Sequence, residues 1–245
     1  MSLAMFADDV AAWPTVLTMN VRSQFKQMRL FLQHVSKWSM LWGLEFSFSK
    51  TNIVTFTRKR TQYKHKPLRL CNKPLSYVSS YKYLGIHLDV KGGSSTHIKA
   101  LLAKSRHTAY FIGRLSNRVR GPSPLTICRL VKAVLIPQIT YAFSFLSLPV
   151  FVLNSINQII ATPLRKALGF NKHTSALRTL WEFGIPDAHT LLVQNTIQVA
   201  NRSYRSSTSS ISYLIAHDMA TFNPLKVSPL ISSFCNRLHL HQRTL

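Results

Sequence analysis

The spacing of apolar residues changes at Lys91-Gly92-Gly93, and that change constrains the fold more than any other feature of the chain. Before it, apolar residues come mostly in short alternating runs, the period of strands; after it they recur every three or four residues, the period of helices. Leu3-Ala4-Met5-Phe6-Ala7 and Val10-Ala11-Ala12-Trp13 flank Asp8-Asp9 and predict strand, tight turn, strand. One amphipathic helix follows, with Val21, Phe25, Met28, Leu32, Val35 and Trp42 on its apolar face and Gly43 as its stop. Glu45 to Ser49 and Asn52 to Thr57 alternate, which predicts two short strands around Lys50. The basic run from Arg58 to Lys73 reads as an exposed loop or hairpin, and Tyr81 to Asp89 as a strand pair bent at Gly85.

Beyond the glycines, Ile98, Leu101, Leu102, Ser105, Ala109, Ile112 and Leu115 predict a helix capped by Ser94 or Ser95. Pro124 opens another, and further helices are expected over Val150 to Leu168 and Asp187 to Tyr204. The fold class is therefore α+β: a mixed part over residues 1–90, a helical part over 91–205, and a Ser-rich linker and tail over 206–245 to which no role is assigned. Trp13, Trp38, Trp42 and Trp181 are expected in the core.

Charge narrows the partners. Thirty-one Lys and Arg face seven Asp and Glu, a net +24. Between Asp89 and Glu182 there are thirteen Lys and Arg and no acid, and Arg58 to Lys73 holds seven more with none. Such a surface repels itself unless it meets a polyanion, and nucleic-acid phosphates are the commonest match. An anionic membrane surface is the weaker alternative. The uncharged run from Ala133 to Leu153 is long enough to span a bilayer, but Pro137, Gln138, Thr140, Ser144, Ser147 and Pro149 interrupt it. Two buried helices joined near Pro149 are expected instead, and no membrane partner. Cys71, Cys128 and Cys235 are odd in number and widely spaced, which predicts reduced, intracellular thiols rather than a zinc site. The start lacks a basic segment followed by a long apolar run, so no signal peptide is read there.

Against that background, Asp8-Asp9 is the one place where two carboxylates adjoin. They repel each other unless a cation or water stands between them. Mg²⁺ takes oxygens from one or two carboxylates and completes its shell with phosphates and water. In so basic a chain the pair points to metal-assisted phosphoryl transfer on nucleic acid; the plain reading is an Asp-Asp turn in solvent.

Four motifs in order resemble a reverse transcriptase of the non-LTR (LINE-type) retrotransposon class. Phe6-Ala7-Asp8-Asp9 resembles the aromatic-x-Asp-Asp box of the polymerase palm, and Gly43-Leu44 through Lys50-Thr51 to Phe56 resembles the next palm motif. Tyr83-Leu84-Gly85-Ile86 with Asp89 is similar to the family's Tyr-Leu-Gly turn, and Trp181-Glu182-Phe183-Gly184-Ile185-Pro186 to a Glu-x-Gly-Ile-Pro element of the following helical region. The resemblance covers roughly residues 3 to 205 and implies a partial polymerase palm, with antiparallel strands and a helix, followed by an all-helical thumb. It implies RNA-directed DNA polymerisation: Mg²⁺-dependent (or Mn²⁺-dependent) nucleotidyl transfer to a primer 3′ end, with RNA template, DNA primer and deoxynucleoside triphosphates as partners and the nucleus as location. Asp8 and Asp9 would be the catalytic metal ligands, Lys50 the lysine near the triphosphate, and Tyr83, Leu84 and Gly85 the grip on the primer. Arg58, Lys59, Arg60, Lys64, Lys66, Arg106, Arg114, Arg118 and Arg120 would follow the nucleic-acid backbone by phosphate contacts.

The chain departs from the family in two ways. Glu45-Phe46-Ser47-Phe48-Ser49 lacks the Asn that normally precedes the Lys-Thr pair. The family's earlier palm Asp and nucleotide-binding fingers would lie upstream of Met1. Two-ion catalysis sets the metals about 3.5–4 Å apart and needs bridging carboxylates from different strands. Neighbouring strand residues point to opposite faces and cannot supply both sides. Glu45, Asp89, Glu182, Asp187 and Asp218 stand in no convincing context for a third ligand. This chain alone is therefore expected to lack polymerase activity, and the alternative reading is a basic nucleic-acid-binding remnant without chemistry.

Overall fold

A computed structural model describes residues 1–14, 21–57, 67–116, 121–146 and 148–205. The chain divides into two compact units, 1–96 and 97–245, with the division in the first turn of one helix. The architecture is α+β, with strands confined to the first unit among the described residues.

In the first unit, β1 (Ser2–Phe6) and β2 (Asp9–Trp13) pair antiparallel in the register Phe6 to Asp9, leaving Ala7 and Asp8 as a two-residue turn. Helix α1 (Val21–Trp42) then runs its full expected length and stops at Gly43, whose φ of 63° is the left-handed conformation that glycine adopts without strain. Its Leu32 face packs on Leu68, Leu70 and Leu75, with Phe25, Met28, Phe46 and Phe48 around them. Ser36 tightens this contact: its hydroxyl donates to the Leu32 carbonyl at 2.7 Å and accepts the Cys71 amide at 2.9 Å. The segment from Leu68 to Leu70, expected to be exposed, is thus half core.

Among the described residues the strands form four two-stranded sheets. β4 (Arg69–Leu70) and β5 (Lys73–Pro74) make a hairpin, as do β7 (Ser80–Tyr83) and β8 (Ile86–Asp89). β3 (Asn52–Ile53), however, pairs parallel with β6 (Ser76–Tyr77), against the antiparallel expectation. Glu45 to Ser49 forms no strand. The Ser47 carbonyl accepts the amides of Lys50 and Thr51 at 3.1 and 3.0 Å, so the chain turns there while Phe46 and Phe48 reach the small core.

The second unit is helical: α2 (Ser95–Leu115), α3 (Pro124–Leu130), α4 (Ile136–Thr140), α5 (Val150–Leu168), α6 (Ala176–Glu182) and α7 (Ala188–Arg205). The start of α2 is tied back by Asp89, whose Oδ2 accepts the Thr96 amide at 3.4 Å; the serines were the expected caps. Between α3 and α4 the helix widens to a π turn over Val131–Leu135. Pro137 follows two residues later; a proline ring meets the carbonyl four residues back, and a wider turn makes room for it. α5 occupies its expected span and ends at Gly169, with φ 69°. It lies at the centre of the core, where Ile127, Val131, Leu135, Phe143, Ile156, Ile160, Leu164 and Leu180 are at most 1% exposed. Pro149 stands at its N-terminus, so the uncharged run is divided near Pro149 as expected. No helix among the described residues is long and apolar enough to cross a membrane.

All four tryptophans are corrected. Trp13, Trp38, Trp42 and Trp181 are 40, 49, 70 and 78% exposed, because the helices and strands that carry them turn other residues inward. Residues 206–245 lie outside the described residues.

Asp187 ends the α6–α7 loop and caps α7: its Oδ1 accepts the Thr190 amide at 3.1 Å. Burial pushes its carboxyl up, but the Thr190 hydroxyl and amide, with the charge and amide of His189, outweigh that and hold it below the usual value. A carboxyl depressed on folding stabilises the fold above its unfolded pKa, and the gain is lost as pH falls through the folded value. Wild type is expected to melt above Asp187→Asn from about pH 4 upward, near the free carboxyl value. The two curves should converge in stronger acid. A melting difference that grows on acidification would contradict this.

Candidate nucleic-acid interface and carboxylate turn

The turn that carries Asp8 is strained. Ala7 has φ 52°, in the left-handed region, and Asp8 is not among the positive-φ residues. That places the positive φ at the first central position of a two-residue hairpin turn, the place where glycine is usual. An L-residue there costs about 1–2 kcal/mol. Asp8 sits at the tip and Asp9 opens β2; both are exposed, as are Met5, Phe6 and Val10 beside them. Two exposed, adjacent carboxylates can supply one or two oxygens to a hydrated Mg²⁺ or Mn²⁺. Among the described residues no three of His, Cys, Asp and Glu come together as metal ligands. The oxygens that Asp8 and Asp9 offer at this turn suit one water-rich ion.

Lys50 meets the β7–β8 hairpin through its backbone, at Tyr81 and not at the Tyr-Leu-Gly turn. The Tyr81 hydroxyl on β7 donates to the Lys50 carbonyl at 2.5 Å, and the Thr57 amide donates to the Val90 carbonyl at 2.9 Å. Tyr83, Leu84 and Gly85 form the tip of the β7–β8 hairpin, with Tyr83 opposite Ile86 in register. Leu84 and Gly85 both have positive φ, 45° and 82°, as a type I′ turn requires. Glycine fits there freely; leucine does not. The Tyr83 hydroxyl oxygen is shielded from solvent and has no hydrogen-bond partner among the described residues.

The Trp181 to Pro186 motif proves to be a helix stop. Gly184 has φ 58°; its amide donates to the Trp181 carbonyl and that of Ile185 to the Leu180 carbonyl, both at 2.9 Å. This delivers Ile185 into the core while Glu182 stays exposed. Lys132 Nζ donates to the Phe183 carbonyl at 3.2 Å and anchors the turn.

The basic surface is clearest on α2. Leu101, Ser105, Ala109, Ile112 and Gly113 are buried, and Lys99, Arg106, Tyr110 and Arg114 are exposed. At 100° per residue these four fall within about 80° of one another, a single stripe along the helix. The Arg114 guanidinium lies over the Tyr110 ring at 5.9 Å, and Tyr110 and Phe111 are 62 and 61% exposed. Cations spaced along a helix can follow phosphates, and an exposed ring can stack on a base. Sequence reasoning named Arg106 and Arg114 but missed Lys99 and Tyr110; their spacing of seven and four from Arg106 carried the signal. Arg58, Lys59, Arg60, Lys64, Lys66, Arg118 and Arg120 lie outside the described residues.

No family model matches the chain, no curated protein is similar to it, and no solved structure matches it.

Proposed function

We propose that this chain is the carboxylate-turn and nucleic-acid-binding portion of an RNA-directed DNA polymerase of the non-LTR retrotransposon type, a partial palm followed by a thumb. One observation carries the reading. Left-handed backbone occurs in each of the four motifs: Ala7, Gly43, Leu84 with Gly85, and Gly184. Ala7 and Leu84 bear side chains, so each turn holds strain, and strain of this kind gathers where a site needs a fixed shape. Asp8 and Asp9 would hold Mg²⁺, which when bound neutralises charge developing on a transferred phosphoryl group. The protein's own part is to present two carboxylates at a tight turn, with Lys50 and the Tyr83 hairpin in one folded unit. RNA template, DNA primer and deoxynucleoside triphosphates are the partners this reading requires, with the nucleus as its place of action.

The α2 stripe favours a second reading on its own: binding of nucleic-acid duplexes by charge and shape, without chemistry. It needs neither Asp8 nor a metal.

Paramagnetic Mn²⁺ tests the carboxylate half of the proposal. Amide resonances from Ala7 to Val10 are expected to broaden on titration, and Asp8→Asn with Asp9→Asn together should abolish this. Asp9→Asn alone is expected to leave stability unchanged or slightly raised, because it relieves repulsion and breaks no completed site. Primer extension by this chain alone on an RNA template is expected to give no product. Absence of broadening at the turn would sink the metal assignment.

A further inference from the structure

The last turn of α5 buries a guanidinium that has no counter-ion among the described residues. Arg165 is 7% exposed; its Nη2 donates to Gln158 Oε1 at 3.0 Å. Its Nε is shielded from solvent and has no hydrogen-bond partner among the described residues. The acids described in this helical unit are Glu182, which is exposed, and Asp187, which caps α7. Burial alone accounts for the lowering of the Arg165 pKa; no neighbouring charge enters.

Unpaired buried charges are costly, so the compensation has to be found. The negative end of α5 offers part of it. The carbonyls there are already engaged, however: Arg165 O accepts the Phe170 amide at 2.8 Å and Lys166 O the Gly169 amide at 3.1 Å. Lys166 adds a second, exposed cation beside α2, with its Cδ 3.7 Å from where a Gly113 Cβ would stand.

We propose that Arg165, braced by Gln158, forms a binding subsite for a phosphate group. A guanidinium presents a planar fork of donors that matches two oxygens of one anion. Inorganic phosphate and a nucleic-acid phosphodiester offer the same chemistry. The subsite goes beyond the polymerase reading and needs neither Asp8 nor Asp9.

The test is a ³¹P NMR titration of the full chain with inorganic phosphate at constant ionic strength. Arg165→Met, Arg165→Lys and Lys37→Gln, an exposed cation on α1, are compared with wild type. Arg165→Met should weaken phosphate binding at least tenfold, Arg165→Lys less, and Lys37→Gln should bind like wild type. Arg165→Met is expected to fold, since an apolar side chain replaces an unpaired charge. If it does not, Gln158→Leu, which removes only the brace, should still lower phosphate affinity. Equal phosphate binding by wild type and Arg165→Met, or none by wild type, overturns the subsite. A nucleic-acid duplex supplies the second arm. Loss of duplex affinity in Arg165→Met identifies a phosphodiester as the ligand, and retained duplex affinity identifies the free anion. Failure of the α2 stripe shows separately, as unchanged duplex binding in variants of that stripe.

Discussion

Exchanging both Arg106 and Arg114 for glutamine is expected to weaken binding to RNA–DNA or RNA duplexes by about 30-fold at 0.15 M salt. Each phosphate contact contributes about 0.9 to the slope of log K against log salt. Two lost contacts therefore remove about 1.5 log units at that concentration. The wild-type slope is expected between about −5 and −7, and the double variant should be shallower by about 2. On the proposed reading the α2 stripe reaches phosphates rather than base edges, so the loss should be uniform across sequences. Both side chains are exposed and neither is among the buried residues of α2, so stability should hold. Tyr110→Ala is the companion: a loss confined to single strands would assign the ring to stacking. Anisotropy titrations at several salt concentrations read all of this. A slope unchanged in the double variant would remove α2 from the interface.

The largest stability effect is expected at Ile156. It is fully buried at the centre of α5, the helix that packs against α3, α6 and α7. Ile156→Ala removes three carbons and leaves a cavity that neighbouring helices close only in part, a cost of about 2–5 kcal/mol. Native-state hydrogen exchange is the suitable measurement, since it reads the opening of each unit separately. The slowest amides of α5 should lose that amount of protection. Val10→Ala, on the hairpin where Val10 is 53% exposed, should cost about 0.5 kcal/mol or less. Similar costs at the two sites would mean that the core does not lie along α5.

Local chemistry explains why so much of the architecture could be read from sequence. α1, α2 and α5 appear where apolar residues keep helical spacing, and Gly43 and Gly169 end two of them by adopting φ values that side chains resist. Phe6-Ala7-Asp8-Asp9 and Tyr83-Leu84-Gly85 form tight hairpin turns because short apolar runs flank them on both sides. These outcomes depend on residues a few positions apart, and such residues are visible in a line of text.

Pairings between distant segments were not visible. β3 and β6 join in parallel although twenty-three residues separate Asn52 from Ser76 in the register. Alternation predicted a strand over Glu45 to Ser49, but Ser47 turns the chain and Phe46 and Phe48 pack on the small core of Leu32, Leu68, Leu70 and Leu75. The tryptophans were assigned inward, Trp42 by its helical spacing on α1, yet burial depends on which face an element offers its neighbours. The buried Arg165 has the same origin. A basic residue in a helix's last turn reads as an exposed, dipole-favoured cation. Only the packing of other elements around α5 removes it from water, because burial is a property of everything that surrounds a side chain and not of the residue itself.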